Sequence, residues 1–133
     1  MSKTLVAGAL GVVGRANVEY LSSLREGEVV ALSRRAPDFE SRALFVSADL
    51  MDAAACRAAL KSHKDITHVI FAALHEQPSL VAGWTEADHI RVNLQMMKNL
   101  LDVVEETSPA FRHFALMHGG KACLLYTSDA ADE

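Results

Sequence analysis

Short apolar runs alternate with amphipathic stretches along the chain. Five runs are almost continuous in aliphatic side chains, which is typical of strands buried on both faces of a sheet. These predicted strands are Thr4–Gly8, Glu28–Ser33, Ala43–Ser47, Thr67–Ala73 and Arg112–Met117. Between them, helical periodicity or an alanine-rich composition predicts helices at Val12–Leu24, Ala53–Ser62 and about Glu86–Thr107.

The ends of the predicted helices carry their own signals. Asp52 is placed to cap the second helix, and Thr85 with Asp88 resembles a capping box before the third. Gly27 is placed to stop the first helix, and Ser108-Pro109 to stop the third. We expect the first helix to bury the stripe Val13, Ala16, Tyr20, Leu21 and Leu24. In the third helix we expect the stripe Ile90, Asn93, Met97, Leu100, Leu101 and Val104.

Strands that are separated by helices predict a parallel sheet covered on both faces. Right-handed crossovers then predict a Rossmann-like, doubly wound α/β fold with strand order 3-2-1-4-5. A length of 133 residues allows one such domain.

Composition excludes several classes of protein. Half of the residues are apolar, 23% are charged and the formal charge is −4, so we expect neither nucleic acid nor a membrane as a partner. No apolar run reaches the length of about 18 residues that a membrane span needs.

Cys56 and Cys123 form no CxxC, which favours a reducing, cytoplasmic location. Leu5–Gly14 could pass for the apolar part of a secretory signal, but its evenly spaced glycines favour a structural loop.

Three glycines follow the first predicted strand and open the first helix. Gly8, Gly11 and Gly14 form GxxGxxG, with Leu10, Val12 and Val13 between them. One glycine permits a tight turn, the next lets a pyrophosphate approach the backbone, and the last lets helix and strand pack closely. The N-terminus of the helix offers free N–H groups to the phosphates. The alternative is an ordinary turn that happens to hold three glycines.

The second predicted strand ends in Ser33-Arg34-Arg35, where NAD-preferring domains carry an acidic residue for the ribose 2′-hydroxyl. Guanidinium groups suit a 2′-phosphate instead, through bidentate charge-assisted bonds. We therefore expect NADP(H) as the cofactor. The alternative is a pair of solvated arginines, for which Asp38 or Glu40 would be the carboxylate partner.

Two further pairs of residues lie where strands end. Asp49-Leu50 follows the third strand, and the carboxylate could accept a hydrogen bond from the adenine amino group or could cap a turn. Ala72-Ala73 closes the fourth strand with side chains small enough to let a cofactor pass, although ordinary core packing explains them equally well.

Taken together, these segments resemble one enzyme superfamily. GALGVVG, LSRRAPD, SADLMD, THVIFAA, VNLQMMKNLLD and HFALMHGGK run in order over residues 4–121. The combination resembles the extended and atypical short-chain dehydrogenases/reductases, and within them the progesterone 5β-reductase/iridoid synthase-like enone reductases. The resemblance assigns the cofactor loop to Leu10, Gly11, Val12 and Val13, the 2′-phosphate to Arg34 and Arg35, and the adenine to Asp49 and Leu50. It places Ala73 and Met117 at cofactor contacts.

The resemblance also implies a catalytic residue. Lys121 matches the lysine of the family's TGxKHY-like segment, although the Thr, His and Tyr of that segment are replaced here. No residue matches the family's catalytic tyrosine, and neither Tyr20 nor Tyr126 is followed by a lysine four positions later. Cys123–Glu133 continues no family pattern and reads as a translated sequencing adapter. We therefore expect a native part, residues 1–122, which is an incomplete dinucleotide-binding domain.

The expected parent protein is an NADPH-dependent reductase of the C=C bond of a small α,β-unsaturated carbonyl substrate. This chain itself is expected to bind the cofactor at best, and its oligomeric state stays open. One alternative is an NAD-dependent sugar-nucleotide epimerase or dehydratase on the same fold. Another is a non-catalytic NADP-binding sensor.

Several further residues are expected to have no chemical role. The six histidines form no zinc-ligand pattern, which predicts surface or loop positions for them. Asn93 is expected to be structural and to support the loop that follows the fourth strand, and Met96-Met97 is expected to fill core space.

Overall fold

A computed structural model describes residues 2–75 and 87–117. The strands are β1 (Ser2–Ala7), β2 (Gly27–Ser33), β3 (Leu44–Ser47), β4 (His68–Phe71) and β5 (His113–Leu116). The helices are α1 (Val12–Leu24), α2 (Ala53–Ala59) and α3 (Ala87–Thr107). All neighbouring strands are parallel and follow the order β3-β2-β1-β4-β5, which confirms the predicted fold and strand order.

Strand β1 lies at the centre of the sheet and is buried on both faces. Leu5 and Ala7 belong to a core cluster that includes Leu100, which lies on α3. Val6 belongs to a second cluster with Val18 of α1. Full burial of a Leu or Val side chain stabilises the fold by roughly 1.5–3 kcal/mol, so apolar residues are favoured from Leu5 to Ala7.

Helix α1 has its predicted limits but buries a different face. Gly14, Val18 and Ser22 are its buried residues, whereas Tyr20 is 63% exposed and Val13 is 48% exposed. The predicted stripe is therefore wrong, because the close approach of the helix to the sheet at Gly14 selects the face that carries the small side chains.

The end of α1 also differs from the prediction. Arg25 adopts the left-handed conformation at the C-cap (φ 57°), so Gly27 does not stop the helix. Gly27 begins β2 instead, where an added Cβ would lie 2.6 Å from the Ser2 carbonyl oxygen of β1. The glycine is needed for strand pairing rather than for capping.

Helix α2 begins as predicted, since the Asp52 side chain accepts a hydrogen bond from the Ala55 N–H at 3.0 Å. It ends at Ala59, three residues before the predicted limit. Helix α3 ends at Thr107, just before Ser108-Pro109, as predicted. Its buried residues are His89, Met96, Asn99, Leu100, Val103 and Val104.

Two predictions for α3 are corrected by this burial. Ile90 is 57% exposed, although the predicted stripe buried it, and His89 is buried rather than on the surface or in a loop. Met96 contributes to the core as predicted. Thr85, Lys121 and the predicted tail Cys123–Glu133 lie outside the described residues. Within the described ranges, no helix combines the length and apolarity needed to cross a bilayer.

Candidate functional site

The loops that carry most predicted site residues meet at the carboxyl edge of the sheet. The glycine loop (residues 8–14) follows β1, and the arginine loop (residues 34–43) follows β2. From β1 the chain crosses to β2 on one side, and it later returns to pair β4 on the other. Ligands of open parallel sheets bind in the crevice at such a reversal, so the expected site lies between the loops after β1 and β4.

The first glycine makes the turn that brings these two loops together. Gly8 has φ +77°, a backbone conformation that residues with a Cβ rarely adopt. A Cβ here would lie 2.6 Å from the Ala73 Cα, so the backbones of the glycine loop and of the segment after β4 are in contact. The N–H groups of Gly8 and Ala9 both donate to the Leu32 carbonyl, at 3.1 and 3.2 Å. The loop is thereby fixed between β2 and β4.

The third glycine sets the distance between helix and strand. A Cβ on Gly14 would lie 1.9 Å from the Gly8 carbonyl oxygen. No side chain fits in that space, so α1 can begin directly against the end of β1. Gly8 and Gly14 thus have the turn and packing roles that the sequence predicts.

The middle glycine leaves the start of α1 open. Gly11 is the N-cap residue, and no side chain caps the helix there. An added Cβ would meet only the Gly8 carbonyl oxygen, at 3.6 Å. Val12 and Val13 in the first turn are 91% and 48% exposed. Uncapped N–H groups at an open helix N-terminus match the chemistry of a bound pyrophosphate.

The arginine pair presents free positive charge beside this opening. Arg34 and Arg35 are exposed, and among the described residues neither forms an ion pair. Asp38, which the alternative interpretation pairs with them, lies instead 3.6 Å from the Arg15 guanidinium. The pair is therefore available to an external anion.

Hydroxyl groups hold the backbone of the arginine pair. The Ser33 Oγ donates to the Arg35 carbonyl, and the Ser47 Oγ donates to the Arg34 carbonyl at 3.1 Å. Ser33 was predicted to bind the cofactor, and that contact stays a prediction. Ser47 was not predicted at all, although its position at the end of the third strand was visible in the sequence.

The far end of the arginine loop is attached to α1. The guanidinium of Arg15 lies over the ring of Phe39, 4.4 Å from its centroid, and also pairs with Glu19 at 2.9 Å. Phe39 packs against the core cluster on the α1 face of the sheet. Sequence reasoning did not single out Arg15, which directly follows the glycine motif.

The residues after β3 combine a turn with a core position. The Asp49 carboxylate accepts the Met51 N–H at 2.9 Å, which is the turn role left open in the sequence. Leu50 is buried, and its carbonyl accepts a hydrogen bond from the Asn99 side chain at 2.8 Å. The Cys56 thiol lies 3.6 Å from the Asp49 carbonyl oxygen. Burial raises the pKa of this thiol, and the nearby charges of Asp52 and Asp49 raise it further, which keeps it protonated.

Helix α3 holds the segment after β4, as predicted for Asn93. The Asn93 Oδ1 accepts the His75 N–H at 2.8 Å, and its Nδ2 donates to the His75 carbonyl at 3.0 Å. Ala73, whose backbone contacts Gly8, precedes this attachment by two residues. Met117 follows β5 at the same edge and donates its N–H to the Phe71 carbonyl at 3.0 Å.

The structure therefore brings the glycine loop and Ala73 into direct contact and attaches the arginine loop beside them. Asp49 and Met117 lie at the same edge, after β3 and β5 at the two ends of the strand order. Within residues 2–75 and 87–117, no group of three potential metal ligands occurs.

Comparisons with known proteins agree with this architecture. The profile of the NAD dependent epimerase/dehydratase family matches residues 4–121. The (S)-8-oxocitronellyl enol synthase of Nepeta cataria is 28% identical over 127 residues, which are 90% of this chain and 31% of that protein. The chain thus spans about a third of the length of the curated relatives that it matches.

Solved structures share the fold at low sequence identity. A short chain dehydrogenase family protein from Francisella tularensis superposes with a TM-score of 0.71 at 16% identity, covering 90% of this chain and 52% of that one. A UDP-glucose 4-epimerase superposes with a TM-score of 0.69 at 20% identity, covering 86% of this chain and 35% of the other. At these identities the likeness concerns the fold alone.

Proposed function

Because the chain belongs to the NAD dependent epimerase/dehydratase family, whose members bind nicotinamide dinucleotides, we propose that its glycine and arginine loops bind NADP(H). One observation carries the choice of NADP(H): β2 is followed directly by two exposed arginines that no described carboxylate neutralises. Guanidinium groups bind phosphate through charge-assisted, often bidentate hydrogen bonds. An acidic residue at this position would repel a 2′-phosphate.

The remaining contacts follow the geometry of the carboxyl edge. The uncapped N–H groups of Val12 and Val13 receive the pyrophosphate, while Leu10 and Gly11 line its approach. Asp49, with the main chain of Leu50, flanks the adenine. Ala73 and Met117 lie beside the path toward the nicotinamide, where small or flexible side chains permit close approach.

We also propose that the parent protein is an oxidoreductase that reduces the C=C bond of an α,β-unsaturated carbonyl compound. The resemblance to enone reductases and the 28% sequence identity with an enol synthase support this. When bound, NADPH supplies the hydride. Lys121 would make a tyrosine hydroxyl a stronger hydrogen-bond donor. That hydroxyl would stabilise the negative charge on the substrate oxygen. No tyrosine of this chain matches that role, so we propose that the 133-residue chain binds the cofactor without turnover.

The NADP(H) assignment is tested by replacing both arginines, Arg34→Ala with Arg35→Ala, and titrating NADPH and NADH by fluorescence. Each lost charge-assisted hydrogen bond costs about 1.5 kcal/mol or more, so the dissociation constant of NADPH should rise about 100-fold. The dissociation constant of NADH should stay within about threefold.

The matched control replaces Lys61 and Lys98 by alanine. Both residues are exposed and form no ion pair within the described residues, and their loss changes the net charge equally. Equal effects of the Arg34/Arg35 variant on both cofactors would overturn the NADP(H) assignment. Tighter binding of NADH than of NADPH by the unaltered chain would instead favour the epimerase or dehydratase alternative. Oxidation of NADPH in the presence of a small enone would disprove the proposed lack of turnover.

A further inference from the structure

Two serines lie side by side at the carboxyl edge, one at the end of each strand that flanks the arginine loop. Ser33 and Ser47 are register partners in the β2–β3 pair. Each hydroxyl donates a hydrogen bond to the carbonyl of one arginine: Ser33 to Arg35 and Ser47 to Arg34. We call these two residues the serine pair.

The backbone around the serine pair is held by the sheet. The Ala48 N–H donates to the Ser33 carbonyl at 3.1 Å, which continues the ladder one residue beyond β3. The Ser47 side chain therefore extends from a fixed strand, whereas Arg34 lies in an exposed loop. The Ser47 hydroxyl holds that loop by donating to the carbonyl of Arg34, which precedes it by 13 residues.

This arrangement has an electrostatic consequence for an anion. A phosphate dianion only accepts hydrogen bonds, so a free backbone carbonyl that faced it would repel it. The serine pair occupies the carbonyl oxygens of both arginines. It also restricts the backbone from which both guanidinium groups extend, which lowers the entropy cost of binding.

We propose that Ser47 is a positioning residue that sets the selectivity for a 2′-phosphate by holding the Arg34 carbonyl. It acts through the arginine loop and does not itself contact the anion. The inference rests on the proposed function, since it concerns the same 2′-phosphate. Ser47 therefore affects the affinity for ligands that carry this group. It has little effect on the affinity for the rest of the dinucleotide.

Two small probes test this on the full 133-residue chain. Adenosine 2′,5′-bisphosphate and adenosine 5′-monophosphate differ only in the 2′-phosphate, and calorimetry measures both affinities without the nicotinamide. Ser47→Ala should weaken binding of the bisphosphate roughly fivefold, the effect of about one neutral hydrogen bond. Binding of the monophosphate should change by less than about twofold.

A second pair of variants separates the hydroxyl from folding. Ser47→Thr keeps the hydroxyl and Ser47→Val removes it, and both β-branched side chains suit a strand. The threonine variant should bind both probes like the unaltered chain, whereas the valine variant should reproduce the selective loss. The control is Ser23→Ala, because Ser23 also donates to a carbonyl, that of Tyr20 at 2.6 Å, but lies near the end of α1.

The possible results are distinct. A selective loss in the alanine and valine variants, with recovery in the threonine variant, supports the positioning role. An equal loss for both probes, or no loss, overturns it while leaving the arginine assignment intact. If the unaltered chain does not prefer the bisphosphate, the proposed NADP(H) function fails, and the role of Ser47 fails with it.

Discussion

The two edges of the sheet treat polar side chains in opposite ways. At the amino edge, where the strands begin, the buried side chains of Lys3 and Ser108 bind groups of neighbouring segments. At the carboxyl edge, donors are directed outward or hold loop backbone. From this difference we expect the amino edge to contribute mainly to stability and the carboxyl edge to carry the proposed binding of the cofactor.

Lys3 is the centre of the amino edge. Its side chain is 9% exposed, and its Nζ lies 2.8 Å from Asp65 and 3.5 Å from Glu28. The hydrogen bond from Lys3 holds the pKa of the Asp65 carboxyl below its usual value. Nearby, the Ser108 hydroxyl accepts the Ile66 N–H at 3.2 Å, which ties the end of α3 to the start of β4. Among the residues just named, the one cationic group is that of Lys3, and it is paired with carboxylates, unlike the guanidinium groups of the arginine pair.

The carboxyl edge has the reverse character. Its guanidinium groups, Arg34 and Arg35, are exposed, and the first turn of α1 has no side-chain cap. Its close contacts at Gly8 and Gly14 are between backbones. We therefore expect substitutions to separate into those that change stability and those that change binding, according to the edge and the contact that they alter.

The largest effect is expected within the carboxyl edge itself. Gly14→Ala places a Cβ 1.9 Å from the Gly8 carbonyl oxygen and should lower the free energy of unfolding by about 3 kcal/mol. Gly11→Ala meets only one atom, at 3.6 Å, and should change stability by less than about 1 kcal/mol while weakening NADPH binding. Urea denaturation and NADPH titration of both variants test this contrast. Equal destabilisation by both would show that the two glycines do not have separate roles.

A smaller effect is expected at the amino edge. Lys3→Met keeps the aliphatic stem but removes the ion pairs, whose carboxylates are partly solvated, so the free energy of unfolding should fall by about 1 kcal/mol. The affinity for NADPH should not change. Lys64→Met is the control, since Lys64 is exposed near the same edge. A comparable loss in the control would attribute the effect to net charge rather than to the ion pairs.

The smallest effect concerns pH at the same edge. Burial lowers the pKa of His63 from 6.5, with a further contribution from Lys3, and burial together with Arg112 lowers that of His68. The unfolded chain therefore binds protons more readily, and stability is lost as the pH falls below about 6.5. Between about pH 7.5 and 5.5 the loss should stay under about 1 kcal/mol, because both rings are partly solvated.

Urea denaturation at both pH values measures this loss. Replacing His63 and His68 together by glutamine should remove most of it, and each single variant should remove a part. An increase in the stability of the unaltered chain on acidification would contradict the assignment.

The architecture followed from the sequence because it depends on the order and type of elements. Apolar strands joined by helices permit few topologies once crossovers are right-handed. The glycine motif was equally informative, since the turn at Gly8 and the close packing at Gly14 both require a residue without a side chain. Asn93 was also predicted correctly, because an amide among apolar residues must find partners.

Other features depend on distances that no periodicity contains. The buried face of α1 is selected by contact at Gly14, and Ser22 is buried there while the larger Tyr20 is exposed. The role proposed for Ser47 depends on its register with Ser33, which becomes visible only when β2 and β3 are paired. Lys3 lies within an apolar strand, and its burial follows from two carboxylates that are distant in sequence.

The central position of β1 has a consequence for synthesis of the chain. One neighbour of β1, strand β2, follows it closely, but the other, β4, pairs Thr4 with His68, 64 residues later. Until His68–Phe71 has left the ribosome, one edge of β1 has no partner, although Leu5, Val6 and Ala7 are among its most apolar residues. Such an edge can pair with another nascent chain. The central strand of the finished fold therefore lacks its second partner until 64 more residues have been made.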